Sequence, residues 1–237
     1  MLLTVKDMQT YIGQYHILQG INLEIPAGQV TVLIGRNGAG KTTTLRSIMG
    51  LTPPSHGSVE FAGEKINGQP PYMIARKGMA FVPEDQGIFS NLTVDENLRI
   101  AMLKEDKDTL GRKDWLLEKI FPDLKIKLKI KAGGLSGGQK QMLSIGRALV
   151  NDNKVLLIDE PSKGLAPIMV EALANAIKEI RNHTTVVLVE QNFWLASAVG
   201  ERYYIIDDGQ TVNQGVMSEL IKDKVLQQRY LGIGTKE

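Results

Sequence analysis

The spacing of apolar and polar positions changes rhythm along the chain. Up to residue 30 it alternates: a short strand is expected over 2–8, a turn over 11–14, then a strand in which Ile21, Leu23 and Ile25 share one face between Asn22 and Glu24. Pro26-Ala27-Gly28 makes a turn, and 30–34 is a compact apolar strand leading into glycines. A helix is expected over 41–49, stopped by Gly50, and short strands over 59–61 and 79–82. From 93 to 150 the period becomes helical, with no convincing central strand. Val94, Leu98 and Ala101 fall at helical spacing, as do Trp115, Leu116, Lys119 and Ile120, and a helix over 136–150 buries Met142, Ile145 and Leu149. The runs 155–158 and 185–189 are continuously apolar, the pattern of strands covered on both faces. Helices over 167–181 and 193–199 flank them, and 203–206 with 210–212 reads as a hairpin around Asp208-Gly209. The reading is α/β: a mainly parallel sheet, an N-terminal antiparallel β part, and a helical insertion near 90–150, in one domain over 1–237.

Composition narrows the function. Lys and Arg total 28 against 26 Asp and Glu, a net charge of +2 that lacks the concentrated basic excess of a nucleic-acid binder. At 43% hydrophobic and 23% charged the chain is of ordinary globular make-up, which excludes disorder and collagen. There is no cysteine, so no disulfide or thiolate chemistry, and a reducing compartment fits. His16, His56 and His183 are scattered, which argues against a multi-histidine metal site. No apolar run reaches the roughly 18–20 residues of a membrane span, and the start lacks a signal-peptide pattern, so a cytoplasmic chain is expected. Glycine is in excess, 24 of 237, and the excess gathers at 35–40 and 133–138, where both clusters carry chemistry.

Gly35-Arg36-Asn37-Gly38-Ala39-Gly40-Lys41-Thr42 fits G-x-x-x-x-G-K-[ST] between an expected strand and an expected helix. Glycines let successive backbone N–H groups turn towards phosphate oxygens, and the helix that follows aims its positive end at the same anion. Lys41 would bridge β- and γ-phosphates, the Thr42 hydroxyl would bind Mg²⁺, and Thr43 follows beside them. The core is therefore read as a P-loop NTPase that takes ATP and Mg²⁺. The strand 155–158 runs into Asp159 and Glu160; Asp159 is placed to hold Mg²⁺ and Glu160 to take a proton from an attacking water. Leu135-Ser136-Gly137-Gly138-Gln139 opens a helix that Ser136 can cap, a second anion site about 95 residues from the first. Two such sites suggest that two chains share nucleotides.

In this order the phosphate loop, Leu-Ser-Gly-Gly-Gln and strand-Asp-Glu resemble an ATP-binding-cassette ATPase over essentially the whole chain. More narrowly, GRNGAGKTTTLRSIMGL, FVPEDQGIFSNLTVDENL, LSGGQKQMLSIGRAL, DEPSKGLAP and LVEQN resemble the smaller ATPase subunit of high-affinity branched-chain amino acid importers and of urea and amide importers. The resemblance implies a head-to-tail pair of cassettes, with Ser136, Gly137, Gly138 and Gln139 touching ATP held by the partner chain. It implies a second ATPase chain, a different one favoured over an identical one, and transmembrane permease subunits, with a substrate-binding protein indirectly. It places the chain on the cytoplasmic face of the membrane. The permease contact is expected near 84–92, with Ile88, Phe89 and Leu92 as anchors.

Three positions depart from the general cassette pattern. Glu84 stands where a Gln usually contacts Mg²⁺, with Gln86 a weaker substitute; Gln191 stands at the usual switch histidine; Ala166 replaces a common Asp, with Ser162 nearby. Gln191 can donate to a γ-phosphate but cannot titrate near neutral pH, which leaves Glu160 as the base. An inactive ATPase is the alternative. Adenine is expected to stack on Tyr11 or, failing that, Tyr15, which flank the usual slot at Ile12. The alternation of Lys125, Lys127, Lys129 and Lys131 with Ile126, Leu128 and Ile130 reads as a solvated face over the helical part's core, and Lys140 and Arg147 as structural. The rival functions are a non-transport cassette acting on DNA or ribosomes, which usually carries tandem cassettes or a coiled-coil insertion, and a regulatory subunit that only binds ATP.

Overall fold

A computed structural model describes residues 1–232. Ten strands form one sheet in the order β5-β4-β1-β2-β10-β9-β3-β8-β7-β6. β1 (Leu3–Ile12), β2 (Tyr15–Ile25), β3 (Val30–Ile34), β4 (His56–Phe61) and β5 (Glu64–Lys65) come first, then β6 (Met79–Val82), β7 (Val155–Asp159), β8 (Thr185–Val189), β9 (Arg202–Asp207) and β10 (Gln210–Val216). β9, β3, β8, β7 and β6 are parallel, whereas β1 pairs antiparallel with β2 and β4. The expected turn at 11–14 shortens to Gly13-Gln14, because Tyr11 and Ile12 still pair with His16 and Tyr15 in β1 and β2.

Side chains of β7 and β8 do enter both faces. Leu156, Ile158, Val186 and Leu188 join an apolar cluster with helices α6 (Gly137–Leu149), α7 (Pro167–Ile180) and α8 (Phe193–Val199). Val155, Leu157, Val187 and Val189 join the opposite cluster with Leu45 of α1 (Lys41–Ile48), Ile74 of α2 (Pro71–Arg76) and the antiparallel strands. Residues 94–149 hold α3 (Val94–Ala101), α4 (Lys107–Trp115), α5 (Pro122–Ile126) and α6. A π-helical turn, Leu116–Ile120, continues α4 and buries Leu116, Leu117 and Ile120. Reciprocal capping boxes at Thr93/Glu96 and Asp106/Thr109 start α3 and α4.

The basic stretch departs from its expected face. Leu128 packs on the core, but Ile126 is 85% exposed and Ile130 46% exposed. α5 ends at Ile126 and a turn follows, so the alternation never meets a continuous surface.

β2 and β10 meet in parallel at Gln210 and Gly20. Beyond that point Thr211 of β10 and Tyr204 of the next strand, β9, reach across to β2. The Thr211 hydroxyl accepts from Asn22 N at 3.0 Å and donates to Asn22 O at 3.1 Å. The buried Tyr204 hydroxyl accepts from Glu24 N at 2.9 Å and donates to Glu24 O at 3.0 Å. Tyr204→Phe would strip both bonds from Glu24, at about 1–3 kcal/mol, and should lower the melting temperature by roughly 2–4 °C per kcal/mol. Thermal unfolding should record that loss with nucleotide affinity unchanged; an unaltered melting temperature would show that this joint carries no stability.

Candidate active site

The polar and charged residues of the site follow the C-terminal ends of parallel strands, where open α/β sheets bind ligands. Residues 35–43 follow β3, Glu84 follows β6, Asp159 and Glu160 end β7, and Glu190 and Gln191 follow β8. The phosphate loop is fixed by close backbone approach. A Cβ at Gly35 would lie 2.1 Å from Ile206 O, and one at Gly40, where φ is 104°, 2.8 Å from the Leu18 side chain. The Gly209 N–H donates to Ala39 O at 3.0 Å, closing the loop against the β9–β10 hairpin.

Lys41 is only 4% exposed, and its ammonium donates to Gly35 O and Arg36 O, both at 2.9 Å. Burial pulls its pKa below the usual lysine range, opposed by Glu160, Asp159 and Glu190. The Thr42 hydroxyl donates to Asp159 Oδ1 at 3.0 Å. Asp159 is 1% exposed, and burial pushes its carboxyl up to about 6 against the Thr42 hydrogen bond. Glu160 lies 3.9 Å from the Lys41 ammonium and accepts a hydrogen bond from Gln191 Nε2. Its φ is +44°, left-handed for a non-glycine residue, a conformation that costs on the order of 1–3 kcal/mol.

A cleft of about 360 Å³ brings together Asn37, Gly38, Gly40, Lys41, Thr42, Thr43, Glu84, Glu160 and Lys163. Arg36 is exposed beside them. Ile12 and Ile17 form the apolar part of this lining, and neither Tyr11 nor Tyr15 belongs to it. Tyr11 instead stacks on His16, with ring centroids 4.2 Å apart and planes within 4°. Tyr11 neighbours Ile12 on β1, and adjacent residues of a strand face opposite sides.

Glu84 lines the same cleft, and its carboxylate accepts from the Lys163 ammonium at 2.5 Å. Sequence reasoning missed Lys163, an isolated lysine in a turn. It missed Glu190 as well, although an acidic residue directly after an apolar strand is the signal that marks Asp159. Glu190 is 2% exposed and accepts from the backbone N–H groups of Ser162, Gln191 and Asn192 at 2.9, 3.0 and 3.0 Å. Burial nevertheless pushes its carboxyl above the usual range.

None of Ser136, Gly137, Gly138 and Gln139 lines this cleft. Ser136 Oγ accepts from Gln139 N at 3.3 Å, and Gln139 Oε1 accepts from Ser136 N at 3.2 Å and from the Lys127 ammonium at 3.0 Å. Two backbone amides at the start of α6, those of Ser136 and Gln139, are therefore taken up by the cap. Ser136 and Gly137 are exposed, while Gly138 is buried, and a Cβ there would lie 2.5 Å from Met169 Cε. The segment after Glu84 is latched to α6: Ser144 Oγ donates to Gln86 O at 2.5 Å, and Arg147 donates to Gly87 O and lies 4.9 Å over the Phe89 ring. Gln86 faces Gly137 O at 3.5 Å rather than the phosphate cleft. Phe89 is 47% exposed, whereas Ile88 packs on the core.

The donor set suits a hard divalent cation, since Mg²⁺ takes oxygen ligands from one or two side chains and completes its shell with phosphates and water. Asp159 and Thr42 already share a hydrogen bond. Lys41 acts on Glu160, Asp159 and Glu190, and Lys163 on Glu84, Glu160 and Asp159. No cluster of three His, Cys, Asp or Glu able to hold a metal occurs among the described residues.

The ABC transporter family model matches residues 18–163. The chain is 40% identical over 233 residues to the high-affinity branched-chain amino acid transport ATP-binding protein BraG of Pseudomonas aeruginosa, covering 98% of this chain and 100% of the relative. It is 37% identical to the probable branched-chain amino acid transport ATP-binding protein LivF of Archaeoglobus fulgidus, covering 98% and 99%. A crystal structure of a nucleotide-free ATP-binding cassette from an ABC transporter superposes with a TM-score of 0.85 at 25% identity, over 98% of this chain and 99% of that one. A matching family model, near-complete relatives and a P-loop beside a strand-borne Asp-Glu pair agree: this chain belongs to the ABC transporter family, as an ATP-binding and ATP-hydrolysing cassette.

Proposed function

We propose that the chain hydrolyses ATP to power a membrane importer of branched-chain amino acids. The observation that carries the mechanism is the convergence of Lys41, Thr42, Asp159 and Glu160 at neighbouring strand ends. Phosphoryl transfer needs mainly positioning and charge neutralisation. Lys41 and the amides of the 35–42 loop hold the phosphates, with Ile12 and Ile17 as the apolar surface for adenine. Thr42 and Asp159 hold Mg²⁺, which neutralises charge on the phosphate oxygens. Glu160 takes the proton of the attacking water, and Gln191 orients that carboxylate through its amide. The cargo is read from the names of the two relatives.

Ser136, Gly137, Gly138 and Gln139 complete a site on a second cassette, with a different chain favoured as partner. Their place outside this chain's own cleft, with Ser136 and Gly137 exposed, supports that reading. A groove of about 400 Å³ between the core and α6, lined by Met49, Phe81, Gly87, Leu103 and Arg147, receives a permease segment, with Phe89 exposed nearby. No helix among the described residues is long and apolar enough to cross a membrane. Association with the cytoplasmic face then goes through the permease.

Glu160→Gln keeps size and hydrogen bonding but loses basicity. It should bind MgATP, accumulate paired cassettes by size-exclusion chromatography and lose about 10²–10⁴-fold in turnover. Near wild-type turnover would remove Glu160 as the base.

Asp159 gives a pH signature. Its folded pKa of about 6 lies above the ordinary 3.8, so its contribution to stability is complete below 3.8 and is lost as pH rises through about 6. Nucleotide-free Asp159→Asn should therefore melt higher than wild type at pH 8, by a margin that shrinks towards pH 4, while Mg²⁺ ceases to strengthen ATP binding. A margin independent of pH would contradict this account.

Ser136→Arg should bind ATP as a monomer yet fail to pair or turn over. Loss of ATP binding by the folded monomer would place the loop in its own chain's site.

A further inference from the structure

The cleft contains an ion pair that the reading above does not use. Glu84 lies two residues beyond β6 and Lys163 four beyond β7, and these strands are neighbours, with Val82 opposite Ile158. The Lys163 ammonium donates to Glu84 Oε1 at 2.5 Å, with the two side chains 64% and 41% exposed. A pair so exposed adds little to stability. Its position is nonetheless built. Buried Glu190 holds the Ser162 N–H at 2.9 Å, Lys163 N donates to Glu160 O at 3.2 Å, and Gly164 takes a φ of 73°. This turn aims Lys163 at the wall it shares with Lys41, Thr42 and Glu160. Glu84 and the carboxylates of Glu160 and Asp159 all hold the Lys163 proton more firmly.

An uncompensated Glu84 would set a negative charge beside a bound polyphosphate. We propose that Lys163 is a positioning residue for the nucleotide: it pairs with Glu84 so that this carboxylate neither repels the phosphates nor competes with Asp159 for the cation. The proposal rests on the reading of the cleft as an ATP site. The energetic unit is then the pair and not either residue alone. The penalty for losing Lys163 grows with ligand charge, so it is larger for ATP than for ADP.

The test is a double-mutant cycle on the full chain. The Kd of a non-hydrolysable Mg²⁺–ATP analogue and of MgADP would be measured by calorimetry for wild type, Lys163→Met, Glu84→Gln and the double variant. Melting temperatures would check folding, which substitution at two exposed positions should spare. Lys163→Met should weaken the ATP analogue by about three- to tenfold and MgADP by less, and the loss should shrink in high salt. The double variant should return to within about twofold of wild type, since the uncompensated charge is gone. Lys163→Arg, which keeps the charge, should stay near wild type. Equal losses on removing Lys163 with and without Glu84, or no loss at all, would overturn the proposal. Lys41→Ala separates the two levels. If it too leaves ATP binding unchanged, the assignment of the cleft fails; if it weakens binding while Lys163→Met does not, only the role of Lys163 fails.

Discussion

The chemistry of this chain depends on the level ends of four parallel strands. Leu33, Val189 and Asp159 lie in one paired row across β3, β8 and β7, and Val82 of β6 pairs with Ile158 one residue earlier. Because the ends are level, residues from four distant stretches of sequence enter one cleft without long loops to carry them. The fully buried strands set that register. A slip of one residue would turn every side chain to the wrong face, and both faces are packed.

The same arrangement concentrates charge that folding alone does not favour. Asp159 and Glu190 are nearly inaccessible carboxylates, Lys41 is an inaccessible ammonium, and Glu160 has a backbone conformation few L residues adopt. Burial shifts Asp159 and Lys41 towards their neutral forms, so each gains from a ligand of opposite sign. Strain and desolvation of charged groups meeting at one spot mark a place built for a ligand.

The phosphate loop, the acidic strand end and the strands covered on both faces were legible because each is a local pattern. Residues 35–42 and 155–160 carry their chemistry in consecutive positions, and the observed elements follow them closely. What escaped depends on contacts between distant segments. The choice between Tyr11 and Ile12 turns on which side of β1 faces the loop, and the stack of Tyr11 on His16 has no signature in either residue alone. Glu190 and Ser162 are 28 positions apart, Lys163 and Glu84 are 79 apart, and no short motif joins them. The lysine alternation at 125–131 misled for the opposite reason: a regular pattern sat where the chain leaves a helix and turns.

The contact between Gly138 and Met169 has a mechanical consequence. The residue with no side chain meets one of the most adaptable, an unbranched thioether with several rotatable bonds. Here the first turn of α6 rests on α7 through a surface that can yield without a gap opening. Further along α6, Gly146 sits tightly between Leu116 and Leu98. One end of the helix is thus seated on a compliant pad and the other clamped by branched side chains. A pull on the exposed first turn would pivot α6 about its clamped end, and the loop held by Ser144 and Arg147, which flank that clamp, would stay nearly still while the first turn moved.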